Sequence, residues 1–525
     1  MPVIAVNNVG QYGVLSEIPS VDMPMNAWSS AANMNFRDGY ALKSLGHTPV
    51  FGTPTVAPYY AFAVPSPTAL YWVYLSLLKA YVWDGSSHTD ITRTVGGDYN
   101  TVLNTLYTHC VFGGIPVINN GVDNPQMWNP VSTGQALQDL SNWPASTTCN
   151  ALRAFKQFLV ALDTTESSTR YPHKVRWSSA AAVGSLPSSW VAAATNDAGS
   201  WELKDTNDFV LDCLQLRDVN VIYKENSIHL MQYIGGLPVF RFAKLTEAVG
   251  ALSRRCAVEF EPGKHAVFGD NDLIVHDGYH LESLGVRRMR KRIYNTIDSD
   301  FYTRSFAVHC PVVNEVWFCF PETGNALPNL AYVWNYREQT GGFRDLPLTS
   351  HIQAGPIDPG SAGEQWDGDS GSWDSDTSTW DQRLYEPSKL RPLLCDPNNT
   401  LLHLGNETTQ FNGASFTATL ERNALPFPLR ADGPPDLSLR KHFKRIWPRI
   451  TGTLGGTVNI YVAATDSPYE SPMYGSALPY VIGTDRYVDC RVVGALLHLK
   501  IESTTAIEWH LPGYEVEFTA RGRAR

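Results

Sequence analysis

A succession of short apolar runs separated by turn residues, from Val219 to Leu284, constrains the fold of this chain more than any other feature. The runs at 219–224 (VNVIYK) and 227–231 (SIHLM) precede a Gly-Gly turn, and further runs follow up to 284. Short strands roughly every 8 to 12 residues, with Gly, Asn and Asp between them, are typical of antiparallel sandwiches, barrels or propellers. The stretch therefore predicts a β meander.

The same strand–turn–strand pattern recurs elsewhere in the chain. Val82-Trp83-Asp84-Gly85 matches Val275-His276-Asp277-Gly278, and weaker copies occur at 332–336, 126–130 and 402–406. Recurrence of one such unit is typical of blades stacked around an axis. The spacing is irregular, and hairpins in an unrelated sandwich would give the same pattern.

The predicted fold class is all-β: a diverged β-propeller with long loop insertions and additional β-sheet segments at the C-terminus. The stretch from Val219 to Leu284 is expected to form one blade. The predicted organisation has three parts. They are an extended N-terminal segment (1–50), a propeller-like body (51–440) with loops at 178–197 and 354–389, and a C-terminal β segment (441–525) that packs on or closes the propeller.

Composition excludes several classes of protein. Hydrophobic residues make up 43% of the chain, enough for a sizeable core, so global disorder is excluded. The net charge of −10 argues against a protein that coats DNA with its whole surface, although local basic patches stay possible. The N-terminus has no signal-peptide pattern, and no apolar run is long enough for a membrane span.

The eight cysteines are scattered and form no CxxC pair. Buried free thiols in a protein made in a reducing cytoplasm are therefore expected, rather than a disulfide framework.

No catalytic signature interrupts the strand pattern. The sequence has no HExxH, no GxSxG, no P-loop and no GxGxxG after a strand. Pairs of carboxylates such as Asp205 with Asp208 exist, but such pairs alone do not identify a glycosidase. We therefore predict a protein that is not an enzyme, with no catalytic residues, no cofactor and no metal site.

The strongest local charge feature is a basic run, for which two interpretations are open. Phosphate neutralisation would make it a nucleic-acid patch. In an acidic chain, a polar face that forms salt bridges to acidic loops of another subunit is favoured. The candidate subunit-interface or channel patch consists of Arg287, Arg288, Arg290, Lys291 and Arg292.

Several stretches resemble a known family. Residues 216–228 (LRDVNVIYKENSI), 265–278 (HAVFGDNDLIVHDG) and 487–494 (YVDCRVVG) are similar to strand pairs of the tail nozzle and packaged-DNA-stabilisation proteins of short-tailed bacteriophages. Trp83-Asp84-Gly85 and the terminal Arg521-Gly522-Arg523 fit the same pattern. The resemblance covers most of the chain and consists of strand patterns without a catalytic signature.

The resemblance implies a structural virion protein of the phage tail, assembled in the host cytoplasm. It implies a homohexameric ring beneath the portal and adaptor, with other tail proteins and tail fibres as neighbours. The channel of that ring would retain and conduct the double-stranded DNA genome, bound without sequence preference. The alternative function is a tail fibre, spike or propeller that binds or cleaves carbohydrate, with Trp366 and Trp373 as sugar platforms.

Overall fold

The computed structural model describes residues 3–66, 70–236, 238–285, 289–357, 390–398, 400–404, 408–429, 433 and 437–523. The chain begins with five short strands, although the sequence indicated only an extended segment over 1–50. These strands are β1 (Val3–Asn7), β2 (Ser30–Ala32), β3 (Met34–Arg37), β4 (Tyr40–Lys43) and β5 (His47–Pro49).

Five four-stranded antiparallel sheets follow, each built from consecutive strands. The first two are β6 (Tyr60–Pro65), β7 (Leu70–Leu75), β8 (Ala80–Trp83) and β9 (His88–Asp90), then β10 (Thr108–Phe112), β11 (Ile115–Asn119), β12 (Gln126–Met127) and β13 (Gln138–Asp139). The third consists of β14 (Thr147–Phe155), β15 (Phe158–Glu166), β16 (Thr169–Trp177) and β17 (Gly199–Glu202). The fourth and fifth are β18 (Val210–Leu216), β19 (Val219–Lys224), β20 (Ile228–Tyr233) and β21 (Phe240–Thr246), then β22 (Ala257–Glu261), β23 (Lys264–Phe268), β24 (Leu273–His276) and β25 (Leu281–Ser283).

Two further blades complete the ring after helix α1 (Arg290–Thr296) and the 3-10 turns Tyr302–Arg304 and Pro311–Val313. The sixth blade consists of β26 (Phe306–Cys310), β27 (Glu315–Phe320), β28 (Leu330–Asn335) and β29 (Thr340–Asp345). The seventh has β30 (His351–Pro356), β31 (Leu390–Asp396) and β32 (Thr400–Leu404), and its fourth strand is β5 from the N-terminus, with Thr48 opposite His403. The molecule therefore contains a β-propeller with seven blades, which the N-terminal strand closes.

Eleven further strands follow, and all but the first two build a second β unit beside the sixth blade. They are β33 (Gln410–Phe411), β34 (Ala414–Ser415), β35 (Ala418–Leu425), β36 (Leu439–Pro448), β37 (Thr451–Gly452), β38 (Thr457–Thr465), β39 (Leu478–Val481), β40 (Val488–Gly494), β41 (Leu496–Ser503), β42 (Trp509–Leu511) and β43 (Gly513–Arg523). Strand β2 pairs with β29 of the sixth blade on one side and with β35 on the other. One sheet therefore continues from the propeller into the second unit, in the order β26-β27-β28-β29-β2-β35-β41-β38-β39. The short hairpin β33-β34 instead extends the seventh blade beyond β5.

Both ends of the chain contribute to the second unit. Strand β1 pairs with β43 at the edge of the sheet β1-β43-β36-β40, while β3 and β4 form a sheet with β42 and β37. The sequence placed a body at 51–440 and a separate segment at 441–525. In the structure β32, the third strand of the seventh blade, ends at Leu404. Strand β35, which begins at Ala418, already belongs to the second unit, so the boundary lies before residue 440.

Apolar clusters fill the spaces between neighbouring blades. Phe62 and Trp128 share the cluster between the first and second blades, and Trp317 and Leu394 share the one between the sixth and seventh. A larger core joins Phe268 of the fifth blade to Phe443 of the second unit. Because each such side chain contributes about 1.5–3 kcal/mol when it is fully buried, these clusters fix the blades against one another.

The stretch from Val219 to Leu284 spans more than the single blade that was expected. It holds the last three strands of the fourth blade and the whole of the fifth. Its length accommodates seven strands, whereas one blade has four.

Candidate sites at the propeller axis and on the terminal sheet

The innermost strands bring together seven side chains around the propeller axis. Each blade contributes one of them, from its first strand or from the residue that leads into it. In blade order they are Tyr60, His109, Arg153, Asp212, Arg255, Phe306 and His351.

The strongest pair in this cluster is the ion pair of Arg153 and Asp212. Arg153 Nε and Nη2 donate to the carboxylate at 2.8 and 2.6 Å, and Asp212 also accepts the backbone N–H of Arg255 at 3.1 Å. Burial alone would raise the pKa of Asp212, but the Arg153 guanidinium and the backbone N–H groups of Arg255 and Cys213 together outweigh burial and lower it. Asp212 is therefore ionised and links three consecutive blades.

Aromatic contacts close the remaining part of the ring. The Tyr60 hydroxyl lies 2.7 Å from His109 Nδ1, and the Tyr60 ring stacks on His351 with centroids 4.1 Å apart. Burial lowers the pKa of His109 to about 3, so its imidazole is neutral and accepts a hydrogen bond from the tyrosine hydroxyl. His351 in turn contacts Phe306 of the sixth blade. The seven residues are thus linked around the axis, in two places through backbone groups, the carbonyl of His109 and the N–H of Arg255. Their side chains fill the axis.

A second buried network joins the fourth and fifth blades. His265 Nε2 lies 2.9 Å from the carbonyl of Gln215, so it donates there and leaves Nδ1 as an acceptor. The Tyr223 hydroxyl donates to that Nδ1 at 2.7 Å and accepts from His276 Nε2 at 2.8 Å. Burial lowers the pKa of His265 to about 3 and that of His276 to about 4. The chain of hydrogen bonds requires the His265 ring to be neutral, and burial keeps His276 neutral as well.

The predicted basic run does not form one continuous face where the structure describes it. Arg287 and Arg288 lie outside the described residues. Arg290 and Lys291 are exposed at the start of α1. Arg292 packs its guanidinium over Phe343 at 3.9 Å and donates to Ser30 Oγ at 3.3 Å, so it joins the helix to the junction between the two units.

A different basic surface, which the sequence analysis did not single out, lies on the sheet β1-β43-β36-β40. We call it the basic face, and it consists of Arg440, His442, Lys444, Arg491 and Arg521. Arg521 donates to His442 Nδ1 at 3.2 Å. Desolvation and the charges of Arg521, Lys444 and Arg491 lower the pKa of His442. Within the described residues, Arg491 and Arg521 form no ion pair, whereas Arg440 pairs with Asp466 at 3.0 Å.

The two predicted loops have different outcomes. No strand occurs between Trp177 and Gly199, in agreement with the loop predicted at 178–197. The predicted loop at 354–389, with Trp366 and Trp373, falls outside the described residues from 358 onward.

All eight cysteines are free, and six of them are buried. Among the residues that the structure describes, no cluster of three or more His, Cys, Asp or Glu side chains could hold a metal ion. In the same part of the chain, no helix is long and apolar enough to cross a membrane.

The strand topology defines an all-β protein of the β-propeller class, and propeller domains of solved structures are similar to part of this chain. The WD40 propeller domain of Doa1 aligns over 69% of this chain and 98% of its own, with 10% identity and a TM-score of 0.38. The propeller domain of Myceliophteria thermophila Cps50 (Swd1) aligns over 69% and 100%, with 7% identity and a TM-score of 0.40. A chain of the mitotic checkpoint complex aligns over 69% of this chain and 93% of its own, with 10% identity and a TM-score of 0.40. No family model matches the sequence, and no characterised protein aligns with it significantly.

Proposed function

We propose that this protein is a structural component of a short-tailed phage tail, a nozzle or hub subunit without chemistry of its own. Several copies would form a ring, expected to be hexameric, whose channel retains and conducts the DNA genome. The observation that carries this proposal is the basic face on a chain with a net charge of −10. A confined cluster of cations on an acidic protein is suited to local contact with phosphates rather than to coating DNA.

Because the propeller axis is filled by side chains, the proposed DNA channel would lie between subunits rather than within one propeller. Because Tyr60, Arg153 and His351 belong to the cluster that fills the axis, a duplex has no passage through a single propeller. A conduit for DNA would therefore need walls from several copies of the chain. Rigid walls suit that role, and the continuous sheet from β26 to β39 couples propeller and second unit into one body.

Arg290 and Lys291 are the exposed members of the candidate subunit interface. Charge reversal at Arg292 would disturb the contact with Phe343 and so would test folding rather than assembly. The informative variant is therefore Arg290→Glu with Lys291→Glu. Arg241→Glu, at an exposed position on the outer strand of the fourth blade, is the matched control.

Sedimentation and electron microscopy of the full chain test the assembly. The expected result is a ring with an axial opening wide enough for duplex DNA, lost in the Arg290→Glu, Lys291→Glu variant and kept in Arg241→Glu. A chain that stays monomeric at high concentration, or assembles without an axial opening, would contradict the proposal. A ring that persists in the double variant would exclude Arg290 and Lys291 from the interface but leave the nozzle role standing.

A glycan-binding propeller is the second candidate function, and one exposed aromatic pair favours it. Trp201 is 56% exposed, and its ring lies nearly parallel to that of Phe242, with centroids 6.1 Å apart. Flat exposed aromatic rings suit the apolar faces of sugars. A glycan array followed by Trp201→Ala separates the candidates, because a nozzle subunit would show no binding that depends on Trp201.

A further inference from the structure

A small pocket opens at one mouth of the propeller axis, on the side from which the innermost strands start. Arg255, Arg304 and Ser350 line it, together with Tyr59 and Tyr107, and these residues lead into the first strands of five blades. Two of the ten lining residues are arginines and none is a carboxylate. The polar part of the pocket is therefore built from donors and positive charge.

Both arginines are buried and keep a donor without an acceptor. Arg255 is 8% exposed and Arg304 is 5% exposed, and the Nε atom of each has no hydrogen-bond partner. The remaining bonds of Arg304 go to neutral groups, the carbonyl of Ala326 and the side-chain oxygen of Asn104. A buried guanidinium N–H without an acceptor costs about 1–3 kcal/mol or more, so an acceptor at this position would stabilise the fold.

His351 adds a third donor of the same kind next to Arg255. Arg255 Nη1 donates to His351 Nδ1 at 3.1 Å, and because arginine cannot accept, the proton of the neutral ring must be on Nε2. His351 Nε2 also lacks a partner. Burial and the charge of Arg255 lower the pKa of His351 well below its ordinary value, which keeps the ring neutral.

The buried side chains around the axis also carry an excess of positive charge. Arg153, Arg254 and Arg255 surround one carboxylate, Asp212, whose two oxygens already accept from Arg153. Arg254 donates to the carbonyl oxygens of Asn150 and Leu106. Burial and the neighbouring Arg255 lower its pKa to about 10. Buried charges are normally paired, so the excess of cations indicates a missing counter-anion.

We propose that the axial pocket is a binding site for a small oxyanion, such as inorganic phosphate, held between Arg255 and Arg304. Guanidinium groups bind the oxygens of phosphate or carboxylate through paired N–H donors. Such an anion would tie the fifth and sixth blades together at the axis and balance the arginine cluster. This site is independent of the basic face and of the proposed role in a tail.

Thermal unfolding of the full chain in inorganic phosphate, compared with chloride at equal ionic strength, tests the site. Phosphate should raise Tm of the wild type in a saturable way, because a ligand that binds only the folded state stabilises it. Leu103→Glu places a carboxylate at the pocket wall and should abolish the phosphate-dependent rise while the protein stays folded. Val102→Glu adds the same charge next to it at a 64% exposed position outside the pocket, and should keep the rise.

Isothermal titration with phosphate gives a second measurement. Arg304→Met should weaken binding at least tenfold, and Arg241→Met, at an exposed position away from the axis, should leave it unchanged. The inference is overturned if phosphate and chloride act alike on the wild type, which would mean that water alone satisfies the donors. It is equally overturned if Leu103→Glu binds phosphate as the wild type does.

Discussion

Asp212 holds Arg153 through two hydrogen bonds across the boundary between the third and fourth blades, with both side chains largely buried. Asp212→Asn keeps the shape of the side chain but leaves the guanidinium without its counter-charge. We expect the free energy of unfolding to fall by about 3–5 kcal/mol, as is typical when one partner of a buried ion pair is removed. Chemical denaturation measures the change.

The matched control for this variant is Asp218→Asn. Asp218 pairs with Lys156 at 3.1 Å, but its side chain is 95% exposed. Exposed pairs contribute about 0–1 kcal/mol. Equal losses in the two variants would mean that the axial ion pair adds nothing beyond a surface contact.

Acid should destabilise the propeller before its carboxylates titrate. His265 and His276 have pKa values of about 3 and 4 in the folded protein, below the ordinary value near 6.5, so the unfolded chain binds more protons between those limits. Stability should therefore fall as pH decreases from about 6.5 towards 4. Each histidine contributes a slope of about 1.4 kcal/mol per pH unit.

The double variant His265→Gln, His276→Gln should lower that slope by about 2.8 kcal/mol per pH unit, as measured by unfolding at several pH values. His280→Gln, which makes the same substitution at a side chain that is 91% exposed, is the control. A double variant with the wild-type slope would show that protonation of this network does not drive acid unfolding.

Closure of the propeller should be sensitive to a single methyl group at Gly46. A Cβ there would lie 2.0 Å from the backbone oxygen of Gln410, just before strand β5. Neither backbone can yield without moving a paired strand, so Gly46→Ala should destabilise the protein by about 1–3 kcal/mol. Limited proteolysis should also cut the seventh blade faster. Gly475→Ala, where a Cβ has no atom nearer than 4.0 Å, should behave like the wild type.

The proposed function predicts that the basic face binds DNA with an affinity that falls as the salt concentration rises. If Arg491 and Arg521 each neutralise one phosphate, Arg491→Gln with Arg521→Gln should reduce the slope of log K against log salt by about 1.8. The measurement is fluorescence anisotropy with duplex DNA across a salt series. Arg217→Gln with Arg241→Gln removes two cations from the propeller and should preserve the slope. Loss of affinity without a change of slope would argue against phosphate contacts.

The recurring sequence pattern identified one particular element of the blades. All five copies coincide with third strands, in the first, second, fifth, sixth and seventh blades. In the first and fifth blades the signal is local, because the aspartate after the third strand closes the turn with its own side chain. Asp84 accepts the backbone N–H of Ser86 and Ser87 at 2.8 and 2.7 Å, and Asp277 does the same for Tyr279 and His280 at 2.9 and 2.8 Å.

Two blades were missed because their third strands end differently. In the third blade, residues 178–198 separate the third strand from the fourth, and in the fourth blade a turn with Gly235 and Gly236 takes the place of the Asp-Gly turn. The sequence also gave no indication that the N-terminal strand closes the ring. His47–Pro49 and Thr400–Leu404 are paired by the circular topology, which no local pattern encodes.

The axial cluster was not predictable for the same reason. Its members come from seven different blades and meet only when the ring is closed. One signal was nevertheless visible in the sequence, the adjacent Arg254 and Arg255 in an otherwise strand-rich region. These two arginines lie just before the innermost strand of the fifth blade, where their side chains enter the interior. The basic face was missed because sheet pairing, not sequence proximity, brings Lys444, Arg491 and Arg521 together.

The fold cannot be completed during synthesis until the late strands that pair with β1 and β5 have been made. Strand β5 leaves the ribosome early, but its partner Thr400–Leu404 follows about 350 residues later, and β1 waits for Gly513–Arg523. At a synthesis rate of about 5–20 residues per second, the first strands stay unpaired for tens of seconds. During that interval the growing chain presents open sheet edges, which are sites of aggregation. A chain that stops before Gly513 would leave the pairing edge of β1 open, because β43 is its partner.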